Sequence, residues 1–217
     1  MRKRVDYSSL PVRVMRELDY TALADRAEEA KESMATALAA FDVGNTGKAL
    51  AAARKAKDAA PRARSVRETL GLILHARGAY KEALSELQTY KRMSGSSLQD
   101  PIIGDCYRAL GRPDKALEIV QALGRFDVDQ STWVDAQITR ARAHEDRGNI
   151  ESALGVLNIA DDLPDLPEDL RLRLRYELAE MLERGDRKDE ARAMFARIAV
   201  KSPGYRDVVD RARALAP

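Results

Sequence analysis

The chain has 217 residues, 45% hydrophobic and 33% charged, with a net charge of +2 and one cysteine, Cys106. A charge so near zero gives no overall field for nucleic acid or anionic lipid, and one cysteine excludes an internal disulfide and a multi-cysteine metal site. No apolar run approaches the roughly 18 residues of a membrane span, and the basic start lacks the apolar segment of a secretory signal. We therefore expect a cytoplasmic protein that does not enter a membrane.

Residue usage predicts an all-α fold. Ala, Leu, Arg and Glu, which lose little side-chain freedom in a helix, are abundant, whereas aromatic residues make up 5% of the chain. β-branched residues are sparse, and no segment alternates between apolar and polar residues for long. One short alternation begins at Leu170, but leucines recur there at intervals of four residues up to Leu182, so we expect a helix after Pro167.

Residues 1–20 form a basic lead with a proline at position 11. Val12, Met15 and Leu18 are three residues apart, which indicates a short helix after that proline. Thr21 is then a candidate N-cap for a longer helix, whose apolar face is Leu23, Ala27, Ala30, Met34, Leu38 and Phe41.

A step from glycine to alanine then recurs five times along the chain. The copies are Gly44 to Ala49, Gly78 to Ala83, Gly111 to Ala116, Gly148 to Ala153 and Gly185 to Ala191, the last with one extra residue. The alanines are 34, 33, 37 and 38 residues apart. A period in this range predicts a stack of helix–turn–helix units, with each glycine ending the first helix of its unit.

The repeat divides the chain into five helix pairs and a last helix. The units span about 21–61, 64–95, 98–127, 132–164 and 167–203, and residues 204–217 form a cap with a helix from about Tyr205 to Leu215. Ser65 and Glu68 have capping-box spacing at the start of the second unit. No connection between units resembles a domain linker, so we predict one domain over 21–217.

The units resemble the tetratricopeptide repeat, which places small residues on both helices and a proline after the second. The matching residues are Leu70-Gly71, Gly78, Tyr80, Ala83 and Leu87 in the second copy, Gly104, Tyr107 and Ala116 in the third, Leu178-Ala179, Ala191, Phe195 and Pro203 in the fifth, and Ala37, Ala49 and Pro61 in the first. In the fourth copy Ala141 and Ala153 match, but Arg140 stands where an apolar residue is usual. The resemblance implies an all-α, right-handed superhelical solenoid whose first helices line a groove.

Nothing in the sequence forms a catalytic or cofactor site. His75 and His144, the two histidines, fall near the ends of first helices without further metal ligands around them, and Cys106 is best read as a buried small hydrophobe. The segment from Gly44 to Lys48 follows a helix and not a strand, so we expect a helix–helix turn there and not a phosphate loop. We expect no enzyme activity, no cofactor and no metal.

The resemblance places candidate partner-binding residues on the first helices. They are Leu72, His75, Arg108, Ile138, Arg142, Arg173, Tyr176 and Glu180. We interpret Ile138 and Tyr176 as apolar anchors and the arginines as receptors for carboxylates, because Tyr and Arg are frequent interface hot spots. In the first helix pair the corresponding positions are Met34, Leu38 and Phe41. These residues either line the groove or pack under the basic lead.

These residues favour a protein-interaction module, an adaptor or assembly factor that binds a peptide or helix of a partner with acidic side chains. The alternative is a nucleic-acid-associated helical repeat that uses the arginine-rich lead and Arg171, Arg173 and Arg175. Near-zero net charge opposes that alternative, so we do not expect nucleic acid as the partner. Self-association through an uncapped end remains a third possibility.

Overall fold

The computed structural model describes residues 10–215, and helices account for all regular secondary structure in that range. In chain order the helices are α1 Val12–Thr21, α2 Ala27–Asp42, α3 Thr46–Ala59, α4 Arg64–Ala76, α5 Tyr80–Ser94, α6 Asp100–Ala109, α7 Pro113–Gln121, α8 Gln130–Asp146, α9 Ile150–Asp161, α10 Glu168–Arg184, α11 Lys188–Lys201 and α12 Val208–Ala214. The predicted all-α repeat fold is confirmed, and α2 to α11 follow one another along the chain in the predicted order of first and second helices.

The chain divides into two compact units, one ending at Leu110 and the other beginning at Gly111. The division falls between α6 and α7, inside the third predicted helix pair. The first unit therefore contains α1 to α6 and the second contains α7 to α12, and each is described by itself below. A single domain over 21–217 stays a prediction.

The turn inside each helix pair has one residue in the left-handed region. Gly44, Gly78, Gly111 and Gly148 have φ angles of 74°, 74°, 70° and 76°, where glycine is favoured because it lacks a Cβ. In the fifth pair Asp186 takes this conformation with φ 61°, while Gly185 has φ −81°. Asp186 lies five residues before Ala191, so the extra residue predicted for the fifth copy is wrong: aspartate, which tolerates this conformation, replaces the glycine.

Backbone hydrogen bonds give four of these turns the same closure. In each, the amide that follows the left-handed residue donates to the carbonyl five residues earlier, which ends the first helix in a Schellman motif. The bonds are Asn45 to Ala40 at 2.8 Å, and Ala79 to Leu74, Asn149 to His144 and Arg187 to Leu182 at 2.9 Å each.

The small residues of the repeat are buried in both units. The repeat alanines Ala49, Ala83, Ala116, Ala153 and Ala191 are all fully buried. In the second unit the core between α8 and α12 is built on Leu157, Leu174, Met181 and Phe195. Val208 of α12 is buried in the same core, while Val209, Ala212 and Leu215 pack partly against it. The last helix is thus present, but it begins at Val208 and not near Tyr205 as predicted.

In the first unit, helix α1 packs onto the repeat. Leu10, Val14 and Leu18 lie in one buried cluster with Met34, and Leu38 packs against that cluster. Of the two interpretations of Met34 and Leu38, packing under the lead is therefore the one the structure shows. Residues 1–9 of the lead lie outside the described residues.

The predicted start of the first long helix is wrong. Thr21 is the last residue of α1, and its hydroxyl donates to the carbonyl of Glu17 at 2.7 Å. The next helix begins only at Ala27. The amide of Leu23 donates to the carbonyl of Ala59 at 2.8 Å, and this tertiary bond holds the chain outside a helix between α1 and α2.

The predicted capping box of α4 is also wrong. The carboxylate of Glu17, on α1, accepts from the amides of Arg64 and Ser65 at 2.8 and 3.2 Å. Glu68 instead accepts from the side chain of Gln99 at 2.8 Å. A carboxylate 47 residues away in sequence therefore satisfies the first amides of α4 and complements its dipole.

Candidate partner-binding site

In the first unit, the three predicted site residues lie on helices α4 and α6. Leu72 and His75 are half-buried on α4, and the ring of His75 meets the ring of Tyr80 edge-on at 5.6 Å. Arg108, on α6, donates to Asp105 at 2.9 Å. The guanidinium predicted to receive a partner's carboxylate therefore has an acidic partner within its own helix.

In the second unit, the predicted arginines bridge helices α8 and α10. Arg142 donates two hydrogen bonds to the buried carboxylate of Glu177, from Nε to Oε1 at 2.7 Å and from Nη2 to Oε2 at 2.5 Å. Arg173 pairs with Asp135 and also donates to Ser131 at 3.2 Å. Bidentate guanidinium–carboxylate pairs are strong and directional, so Arg142 has a fixed position. Arg173 is held instead by one bond to each of its two partners.

A further arginine extends this charged row. Arg184 donates to both carboxylate oxygens of Glu145, at 2.6 and 3.1 Å, and lies 3.5 Å from Glu177. Burial opposes the charge on Arg184, yet its bond to Glu145 and the nearby carboxylates raise its pKa above the ordinary value. Glu180 pairs with Arg211 of α12 at 3.6 Å. Acidic and basic groups thus alternate across α8, α10 and α12.

Tyr176 does not offer the exposed anchor that the sequence predicts. It is 5% exposed, its hydroxyl donates to Asp207 at 2.6 Å, and the guanidinium of Arg206 lies 4.5 Å from its ring centre. Burial, followed by the bond to Asp207, raises the pKa of Tyr176 to about 12. Ile138 is likewise only 9% exposed in the core. Both residues stabilise the unit because the segment before α12 and the neighbouring helices already cover them.

The acidic residues that pair with the arginines were not predicted from the sequence. Asp135 and Arg173 are 38 residues apart, Arg142 and Glu177 are 35 apart, and Glu145 and Arg184 are 39 apart. Each separation is about one repeat. Opposite charges one repeat apart on first helices are the signal that could have identified these pairs.

The thiol and one of the two imidazoles that the sequence singles out are buried or half-buried. Cys106 is fully buried, and burial raises the pKa of its thiol to about 12, which confirms the interpretation as a small hydrophobe. His144 is half-buried; burial first, and then Arg140 and Arg147, lower its pKa. Residues 10–215 hold no group of three or more acidic, His or Cys side chains placed to bind a metal ion.

A second surface of the second unit is a cleft of about 510 Å³ on α10 and α11. Leu172, Met194 and Ile198 supply apolar lining, and Arg197 and Lys201 are among its charged residues. This cleft is therefore an alternative to the charged row as a partner-binding surface of this unit.

The family model described as Tetratricopeptide repeat matches residues 34–97 and 138–206, which together are more than half of the chain. No curated protein matches this chain in sequence. Among residues 10–215, every helix is too short or too polar to cross a membrane.

Solved structures share the fold at low sequence identity. TTC0263, a thermophilic TPR protein of Thermus thermophilus, is 18% identical, with 86% of this chain and 98% of that chain covered at a TM-score of 0.66. The TPR-like repeats of a Podospora anserina putative kinesin light chain are 16% identical, with 89% and 97% covered and a TM-score of 0.61. YrrB, titled a TPR protein with an unusual peptide-binding site, is 16% identical, with 86% and 93% covered and a TM-score of 0.54.

Proposed function

This chain belongs to the tetratricopeptide repeat family, and we propose that it is a non-enzymatic adaptor or assembly factor that binds a peptide or helix of a partner protein. The fold serves in general as a protein-interaction module. The peptide-binding site named for YrrB supports extending that role to a peptide ligand here. We also propose that the protein works in the cytoplasm, where a lone thiol such as Cys106 stays reduced.

The observation that carries the proposal is the charged row on the second unit, which we call the first-helix face. It consists of Asp135, Arg142 and Glu145 on α8 and Arg173, Glu177, Glu180 and Arg184 on α10. The side chains of Arg142 and Arg173 are 35% and 31% exposed. Ion pairs hold them in place before a ligand arrives, so binding costs little further side-chain entropy.

The chemistry of this face suggests the partner. Guanidiniums that remain one-third exposed can share their charge with an incoming carboxylate, so an acidic segment is the ligand we propose. The same pairing weighs against nucleic acid on this face, because Glu177 and Asp135 already offset the positive charge that phosphates would need. Any apolar contact with this ligand must involve side chains other than Ile138 and Tyr176, which are buried in the unit.

Reversing charge pairs tests the proposal without leaving a buried charge alone. One variant combines Arg142→Glu and Glu177→Arg with Arg184→Glu and Glu145→Arg, because Arg184 contacts both glutamates, and a second combines Arg173→Asp with Asp135→Arg. Each keeps its salt bridges but inverts their direction, so the fold is retained while the pattern read by a partner changes. A matched control combines Arg187→Glu with Glu190→Arg, an exposed pair at 2.7 Å at the start of the second helix α11.

The readout is affinity purification from the native cytoplasm, with and without nuclease. We expect the two first-helix variants to lose a specific protein partner that the control retains, while thermal melting shows all three folded. Retention of the same partners by every variant would place binding elsewhere, the α10–α11 cleft being the next surface to examine. Recovery that disappears with nuclease would favour the nucleic-acid alternative.

A further inference from the structure

A second cluster of arginines lies on the first unit, around a shallow cavity of about 430 Å³ that we call the arginine basin. Its lining is Arg13, Arg16, Glu17, Tyr20, Thr21, Arg62, Arg64 and Met93. The first two arginines come from α1, Arg62 precedes α4 and Arg64 begins it. Four guanidiniums from separate parts of the sequence therefore face one open surface.

The fold holds these like charges together by anchoring α1. Leu10, Val14 and Leu18 bury one side of this segment in the core of the first unit. Glu17 then ties α1 to the start of α4, since its carboxylate accepts from the amides of Arg64 and Ser65. Apolar packing and a helix cap thus stabilise an arrangement that mutual repulsion opposes, and the basin is formed before any ligand binds.

The charges in the basin are not balanced in the way they are on the first-helix face. Among residues 10–215, no carboxylate pairs with Arg13, Arg16 or Arg62. Glu17, the one acidic residue in the lining, is already engaged by two amides and by Arg64 at 3.4 Å. The chain up to Leu110 also carries a net positive charge, whereas the remainder is net negative. The basin therefore presents guanidiniums that a multivalent anion could pair with at little cost.

The apolar residues of the basin distinguish between anions. The ring of Tyr20 is 93% exposed, and Met93 is a second exposed apolar side chain at the rim. Sites for single-stranded nucleic acid stack successive bases on several aromatic rings along a basic track. Here one ring and one thioether adjoin four arginines in a shallow cavity, which suits one apolar side chain flanked by carboxylates.

We propose that the arginine basin binds a carboxylate-rich peptide segment of a partner protein, with an apolar side chain against Tyr20 and Met93. This site belongs to the first unit and does not depend on the proposal for the first-helix face. It would give the protein a second contact with an acidic partner, or a separate partner of its own.

The test uses the full chain and a fluorescein-labelled decapeptide of glutamates with a central phenylalanine, measured by fluorescence anisotropy at low salt. The variant combines Arg13→Gln and Arg16→Gln, both exposed and without an ion pair to any residue in 10–215. The matched control combines Arg112→Gln and Arg213→Gln, two exposed arginines of the second unit, and removes the same net charge. We expect the basin variant to bind roughly five- to tenfold more weakly, as the loss of two exposed charge contacts implies, and the control to bind as the wild type does.

Three further measurements decide the ligand class. The same peptide with glutamine in place of glutamate should bind much more weakly, and raising the salt concentration should weaken the glutamate peptide. Tyr20→Ser should reduce binding of the peptide with central phenylalanine but not of one with central glycine. Equal loss in the control variant, no binding of the glutamate peptide, or tighter binding of a ten-nucleotide single-stranded DNA would each overturn the proposal, the last in favour of nucleic acid.

Discussion

Replacing Gly71 by alanine tests the packing of α4 on α5 most sharply. A Cβ at this position would lie 2.6 Å from both Cγ and Cδ2 of Leu87 and 3.4 Å from the Leu87 amide nitrogen. Leu87 is fully buried, and an ordinary carbon–carbon contact is about 3.5–4.0 Å, so this side chain would have to move by about 1 Å in a closed core. Overpacking of this kind costs about 1–3 kcal/mol, against a helix-propensity gain of about 1 kcal/mol.

We therefore expect Gly71→Ala to lower the free energy of unfolding by about 1 kcal/mol, the midpoint of that balance, and the melting temperature by about 2–4 °C. The matched control is Gly155→Ala on α9, where an added Cβ would meet nothing within 4 Å. There only the propensity gain of up to about 1 kcal/mol remains. Circular dichroism at 222 nm during heating and in urea measures both variants. A Gly71→Ala protein as stable as the wild type, or a Gly155→Ala protein that loses stability, would refute the reasoning.

Four other experiments test separate parts of the structure. Asp186→Gly should raise the free energy of unfolding by about 1 kcal/mol, because glycine adopts φ 61° without the strain of a side chain; an unchanged urea midpoint would contradict this. Glu17→Ala removes the cap of α4 and should cost about 1 kcal/mol in urea unfolding, whereas Glu32→Ala, an exposed residue on α2, should cost nothing measurable. Cys106, with a thiol pKa of about 12, should react with Ellman's reagent at pH 8 only after unfolding, and rapid labelling of the folded protein would contradict its burial. Because the unfolded thiol ionises near the ordinary 9.0, the free energy of unfolding should fall as the pH rises from 9 towards 12. Deleting residues 204–217 uncovers Tyr176 and should cause aggregation or oligomers in light scattering, so a monomer of unchanged stability would remove the capping role.

The repeat architecture could be predicted from the sequence because each turn depends on residues that are close together in the chain. A left-handed residue five positions before a buried alanine marks each turn, and the leucine spacing from Leu170 to Leu182 was enough to predict a helix and not a strand. Local signals failed where a distant group decided the conformation. Glu17 caps α4 from another helix, and the Ala59 carbonyl holds Leu23 outside a helix. Neither partner can be identified from residues near the helix start.

The site was harder to predict than the fold for the same reason. Helix periodicity correctly assigns Arg142, Arg173 and Tyr176 to first helices, but it does not show which side chains lie opposite them on the neighbouring helices. Glu177 and Asp135 neutralise the arginines, and the segment before α12 covers Tyr176. Conversely, the basic lead has no local pattern that would predict its packing beside Arg62 and Arg64, because that juxtaposition depends on the tertiary position of α1.

Site-specific photocrosslinking tests the central claim, that partner binding occurs on the first-helix face, most directly. A photoreactive phenylalanine derivative would replace Glu180 on α10 in one protein and the exposed Glu151 on the second helix α9 in another. After irradiation in the native cytoplasm and nuclease treatment, mass spectrometry would identify the attached species. We predict that the Glu180 position attaches to one specific partner protein through an acidic segment, and that the Glu151 position does not. Attachment of that partner from Glu151 but not from Glu180, or attachment of no protein from Glu180, would contradict the account.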